Sequence, residues 1–185
     1  MRWKSYGRRP VYRSDYVDVW VDDVEIPGVG RVDHHVLTMP RASNTAVVTD
    51  GDERILMLWR HRFIPDAWGW EVPAGWSDPG EDPEQAIRRE IEEETGWRPG
   101  RVERMTAYNA LSGISTMRFT GFHATDSRYI GPPTDPSEAS RVEWLPIGKV
   151  AELAATGAIS DGPSLTAIAY YLGIHRPRHG GNQRD

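Results

Sequence analysis

Residues 75–97 read GWSDPGEDPEQAIRREIEEETGW. The stretch predicts a loop followed by a helix. Asp82 is a good N-cap, Pro83 suits the first helical position, and Gln85 stands three residues after the cap, a capping-box start. Gly96 is a natural stop. Four glutamates, Glu90, Glu92, Glu93 and Glu94, fall within one and a half turns, where like charges three and four apart repel. With Ala86 at zero and about 100° per residue, Ile87 lies at about 100° and Ile91 at about 140°, which marks the buried face. Glu90 then falls at about 40° and Glu94 at about 80°, inside that arc, with Glu93 at its edge at about −20°. Glu92, Arg88 and Arg89 point away, and Glu92 reads as a solvated surface residue.

Bare carboxylates facing an interior are very costly, so three that converge need a cation. Arginine salt bridges are one answer, and Arg89 is placed to pair with Glu93 one turn on. One arginine cannot neutralise three acids, so the pattern favours a metal. Hard oxygen ligands suit Mg²⁺ or Mn²⁺.

The rest of the chain bounds the setting. Its 185 residues allow one domain with a sizeable core. There are no cysteines, which excludes disulfides and thiolate metal sites. Residues 1–10 (MRWKSYGRRP) carry no apolar run of the secretory-leader kind, and no stretch of about 18 apolar residues predicts a membrane span. These features lead us to expect a cytoplasmic protein. Residues 1–13 and 175–185 are basic and read as disordered tails. Between them lie 14 basic and 26 acidic residues. So acidic a body argues against a nucleic-acid-binding surface.

Alternating apolar and polar residues at 16–26 and 31–39, around the turn PGVG, predict an N-terminal hairpin. NTAVVTD, RILMLWR, RVERMTAYN, TMRFTGFHA and RVEWL read as further strands. PIGKVAELAATG and SLTAIAYYLG read as helices ended by Gly157 and Gly173. The fold class expected is α+β (mixed α/β), one domain over 14–174 with its hairpin at 14–40.

The 75–97 stretch resembles the Nudix box. Gly75, Glu81, Arg89, Glu90, Ile91, Glu93, Glu94 and Gly96 occupy the constrained positions at the family's spacing, and Trp97 stands where an aliphatic residue is usual. What the resemblance implies is a mixed β-sheet sandwiched between helices, and an enzyme that hydrolyses a nucleoside diphosphate linked to another group. It implies Glu90, Glu93 and Glu94 as metal ligands, with Glu81 and the Ala74 carbonyl completing the set and Arg89 orienting a ligating glutamate. The cation would polarise phosphoryl oxygens and template the displacement.

Beyond the box, the chain is similar to the ADP-ribose pyrophosphatase branch. EVPAG (Glu71 onward) leads into the box, LWRHR places Arg62 where that branch contacts substrate phosphate, and GAISDGPSLTAIAYYLG also matches. The substrate contacts implied are Arg60, Arg62, Glu71 and Trp70. Trp68 and Trp76 flank the same segment, and His61 is the histidine nearest the site. The N-terminal hairpin implies a homodimer with exchanged strands. The chain departs from the branch at Leu111 and Ser112, where a proline is usual, and at Met117, where an acid is. The general base implied is Glu138, in the loop GPPTDPSEAS, or else Glu93. The expected activity is cleavage of ADP-ribose or a related nucleoside diphosphate sugar. Nucleoside triphosphates or prenyl diphosphates are alternative substrates. A non-catalytic binding module would have a damaged box, and this box is intact.

Overall fold

The computed structural model describes residues 1–134 and 139–176. Twelve strands and three α-helices are formed by the described residues. The strands are β1 (Lys4–Tyr12), β2 (Asp18–Ile26), β3 (Gly30–Thr38), β4 (Ser43–Val48), β5 (Arg54–Arg62), β6 (Ala67–Glu71), β7 (Ala74–Trp76), β8 (Trp97–Arg98), β9 (Arg101–Asn109), β10 (Arg118–Thr125), β11 (Arg128–Tyr129) and β12 (Arg141–Pro146). The helices are α1 (Pro83–Thr95), α2 (Ile147–Ala155) and α3 (Gly162–Tyr170), and a π-turn at Tyr171–His175 extends α3.

The body is built on two sheets. One runs β7-β4-β10-β9 and is mixed, with β10 parallel to β4 and antiparallel to β9. The other runs β12-β5-β6 and is antiparallel. Strand alternation sends Ala46, Val48 and Leu56 to one side, where Ile87 and Ile91 of α1 cover them with Val102, Phe122 and Ala124. Val47, Ile55 and Met57 point the other way, into a second cluster with Val150 of α2 and Ala167 and Ile168 of α3. The sheets are therefore buried on both faces, as the near-continuous apolar runs VV and ILML require. None of the described helices is long and apolar enough to cross a membrane.

The N-terminal hairpin forms as expected, with Asp18↔Thr38 through Ile26↔Gly30 in register. The tail expected at 1–13 does not. Residues 4–12 form β1, the third strand of that sheet, although every residue of it is exposed. The reason is charge complementarity across strands. Arg8 donates to both carboxylate oxygens of Asp22 at 3.0 and 2.9 Å, and Arg9 reaches Asp33 at 2.9 Å. The Arg8 and Arg13 guanidiniums lie over the Trp20 ring at 5.2 and 5.6 Å. Read alone, the segment shows bases without acids; its acids are on β2 and β3. The tail expected at 175–185 lies outside the described residues beyond Arg176.

Helix α1 begins and ends where its sequence says. The Asp82 carboxylate accepts from the amides of Glu84 and Gln85 at 2.9 and 3.4 Å. Gly96 closes the helix with φ 74°, its amide donating to the Glu92 carbonyl at 2.9 Å. The last carbonyls are met by the segment that follows β11: Thr134 donates to Glu93 O and Ile130 to Gly96 O, both at 2.9 Å. A Cβ on Gly96 would stand 1.9 Å from the Gly131 carbonyl oxygen. Gly96→Ala is therefore expected to destabilise the fold, by about 1–3 kcal/mol from the left-handed backbone alone. Urea unfolding should show a lower midpoint at unchanged m-value, and an unchanged midpoint would refute this account of the cap.

Candidate active site

The glutamates of α1 meet the turn that precedes the helix. Strand β7 pairs with β4 (Thr45↔Ala74, Asn44↔Gly75), which sets the turn against the helix face. Gly75 is required here by space: a Cβ would lie 2.0 Å from the Glu90 carboxyl carbon and 2.3 Å from its oxygens. The Glu90 carboxylate occupies the volume that any other residue would fill. This contact joins two box positions 15 residues apart.

Arg89 turns back toward the same point. Its Nη1 donates to Glu90 Oε1 at 2.8 Å and to Glu93 Oε2 at 2.9 Å. Its Nη2 donates to the Trp76 carbonyl at 3.0 Å and to Glu81 Oε2 at 3.1 Å, and its Nε reaches Glu81 Oε1 at 3.2 Å. Hydrogen bonding to Glu81, then to Glu90 and Glu93, holds the guanidinium firmly charged. In return, Arg89 and the Asp78 amide hold the Glu81 carboxyl below its usual range.

Glu94 is the most deeply placed of the four, 2% exposed. Its Oε1 accepts from Arg60 Nη2 at 2.6 Å and its Oε2 from the Ala74 amide at 3.0 Å. It thereby ties α1 to β5 and to the turn. Arg60 also approaches Glu71, at 4.0 Å. Glu71 is itself gripped by Arg62, whose Nε donates to Glu71 Oε1 at 2.8 Å. Arg62 remains about half exposed, at the rim. That pairing keeps Arg62 charged despite partial burial.

These residues enclose a cavity of about 450 Å³ lined by Arg60, Arg62, Ala74, Gly75, Trp76, Glu90 and Glu94. Met117 also lines it, as does Asp161 just ahead of α3. Asp161 is the residue that sequence reading missed. Asp-Gly-Pro reads locally as an N-cap ahead of a helix start, which does not reveal the cavity in front of it.

Three expectations change. Trp70 is not at the site: Trp59, His61, Trp68 and Trp70 pair on one face of the β5–β6 hairpin, while Arg60, Arg62 and Glu71 occupy the other. Trp70 is buried in the core and packs on Trp59 at 5.2 Å, and His61 pairs with Asp66 at 3.0 Å. Of the flanking tryptophans, Trp76 lines the cavity. Second, Glu92 is not merely solvated; Arg98 holds it at 2.8 and 2.9 Å. Third, arginines are not in short supply at the glutamates. Arg89 reaches Glu81, Glu90 and Glu93, and Arg60 takes Glu94, so each acid has a guanidinium beside it. Glu81, Glu90 and Glu93 thus converge on a guanidinium, and among the described residues no group of three acidic or histidine side chains is arranged here to hold a metal ion instead. Glu138 lies outside the described residues.

A Nudix domain model matches residues 39–167. The chain belongs to the Nudix family. It is 40% identical over 170 residues to the CMP-5'-(N-acetyl-N-hydroxy-3-aminopropyl)phosphonate hydrolase of Streptomyces rubellomurinus, covering 91% of this chain and 82% of that one. It is 25% identical over 169 residues to the ADP-ribose pyrophosphatase of Bacillus subtilis, covering 90% and 91%. The ADP-ribose pyrophosphatase of Mycobacterium tuberculosis is 29% identical over 157 residues, covering 83% and 74%. A crystal structure of an ADP compounds hydrolase superposes with a TM-score of 0.81 at 16% identity, covering 93% of each chain, which shows the shared fold. The protein is a Nudix hydrolase, in a family whose enzymes act on nucleotide diphosphates and generally use divalent cations.

Because Gly75 leaves the space that Glu90 fills, Gly75→Ala should displace the carboxylate without unfolding the protein. A misplacement on the order of 1 Å costs roughly 10²-fold in rate. The expected outcome is a kcat lowered by about that factor at an almost unchanged melting temperature. A kcat within about twofold of wild type, far short of that loss, would show that the contact has no catalytic weight.

Proposed function

We propose that this enzyme cleaves the diphosphate bond of ADP-ribose or a related nucleoside diphosphate sugar, releasing a nucleoside monophosphate and a sugar phosphate. The observation that carries this reading is the collection of Glu81, Glu90 and Glu93 around one guanidinium, beside a cavity with Arg62 at its rim. The similarity to two ADP-ribose pyrophosphatases across most of the chain supports it. A second reading has its own support. The higher identity to the Streptomyces enzyme favours a cytidylyl phosphonate conjugate. Either substrate presents anionic phosphorus centres to the same wall.

The donor set fits a divalent cation. Carboxylate oxygens of Glu90 and Glu93, with Glu81, Glu94 and the Ala74 carbonyl, are hard ligands of the kind Mg²⁺ or Mn²⁺ takes. The space at Gly75 seats the Glu90 carboxylate, and rotation away from Arg89 would release Glu81, Glu90 and Glu93. When bound, the cation would offset diphosphate charge and polarise a phosphoryl oxygen. The chain's own groups do the rest. Arg62, fixed by Glu71, is the candidate phosphate contact. Glu94 holds the turn and β5 in register with the helix. A carboxylate accepts the proton of the attacking water as the water oxygen bonds to phosphorus, and the bridging P–O bond breaks with the far phosphate as leaving group. Glu138, which lies outside the described residues, is the first candidate for that base on the resemblance alone. Glu93 is the second.

Wild-type enzyme should hydrolyse nucleoside diphosphate conjugates in a panel of ADP-ribose, a UDP-sugar, a cytidylyl phosphonate, ATP and isopentenyl diphosphate. Excess EDTA should abolish turnover and Mg²⁺ or Mn²⁺ should restore it. Full turnover in EDTA, or activity confined to ATP or the prenyl compound, would overturn the reading. Glu138→Gln should lower kcat by about 10²–10⁴-fold with metal affinity nearly unchanged, if Glu138 is the base. If Glu93 is the base, Glu138→Gln is nearly silent, and Glu93→Gln weakens both turnover and metal binding.

A further inference from the structure

A second cavity of about 630 Å³ adjoins the first. Arg62 and Asp161 line both, so they form the junction between them. The far wall is the tip of the β5–β6 hairpin: Phe63, Ile64, Pro65 and Ala67. Phe63 is 88% and Ile64 93% exposed. Two large apolar side chains thus stand in water beside the cavity and offer a bound group an apolar wall. The walls are fixed: the Trp70 amide of β6 donates to Ala158 O in the α2–α3 loop at 3.1 Å, and the Val72 amide just past β6 donates to Ser164 Oγ of α3 at 3.1 Å.

The junction is selective in charge. Arg62 is already matched by Glu71. A helix start would ordinarily attract an anion, but Asp161 occupies this one itself, its Oδ2 accepting from the Ser164 amide at 2.9 Å. The start of α3 therefore presents a carboxylate to the passage.

We propose that the second cavity receives the group attached to the far phosphate of the substrate, and that Asp161 is a specificity-determining residue that admits uncharged, hydroxyl-bearing or cationic groups and rejects a further phosphate. The inference rests on the diphosphate reading of the first cavity. The distal group packs on Phe63 and Ile64, while hydroxyl or amine donors on it meet Asp161. A nucleoside triphosphate would place a third phosphate against that carboxylate, where like charge opposes it.

The test compares ADP-ribose, ADP and ATP, which share the adenosine diphosphate half. Binding is measured by calorimetry beside kcat and KM, so the comparison stands even if wild-type turnover fails and the catalytic reading with it. Phe63→Ala/Ile64→Ala changes exposed residues only and should weaken ADP-ribose about tenfold or more, as loss of apolar contact in a pocket does, while leaving ADP unchanged. Asp161→Asn keeps a good helix cap and should narrow the preference for ADP-ribose over ATP by about tenfold. Equal effects on ADP and ADP-ribose, or no effect on either, would overturn the distal pocket. An unchanged ADP-ribose to ATP preference in Asp161→Asn would overturn the role of Asp161.

Discussion

A buried carboxylate, Glu94, is the contact on which the rest of the site depends. At 2% exposure it must be paired or it would not stay ionised. Its two oxygens are held by Arg60 from β5 and by the Ala74 amide from the turn. One side chain thus joins the helix, the antiparallel sheet and the strand that carries Gly75. Removing one member of such a pair leaves a buried charge alone, which typically costs about 3–5 kcal/mol. The Gly75–Glu90 contact then sets a second glutamate of the helix against the same turn.

On that frame the site stores opposite charges in close order. Arg89 holds three acids, and Arg60 and Arg62 hold two more. The repulsion among the α1 glutamates, which would weaken an isolated helix, is offset by guanidiniums drawn from the helix and from β5. The same pairing makes the carboxylates available to a competing cation, because the Arg89 side chain that Glu81, Glu90 and Glu93 share is long, flexible and partly exposed. Glu94 is more deeply buried than these, with Arg60 on one oxygen and the Ala74 amide on the other. It serves more as a joint than the three others do.

Much of the helix and its chemistry was legible in the sequence because the rules that govern it are local. Caps act over three residues and a helix face repeats every three to four, so Asp82, Gly96 and the inward direction of Glu90 and Glu94 could be read from spacing alone. Strand alternation placed the core strands for the same reason. The tertiary structure decided what lies far apart in the chain. It drew β1 out of an apparent tail, because the acids that hold Arg8 and Arg9 are 14 and 24 residues away. It sent Trp70 to the core and Arg62 to the rim, because hairpin pairing puts neighbours on opposite faces and only the packing shows which face meets α1. It also brought Asp161 to the cavity, since a helix cap read locally gives no sign of what stands in front of it.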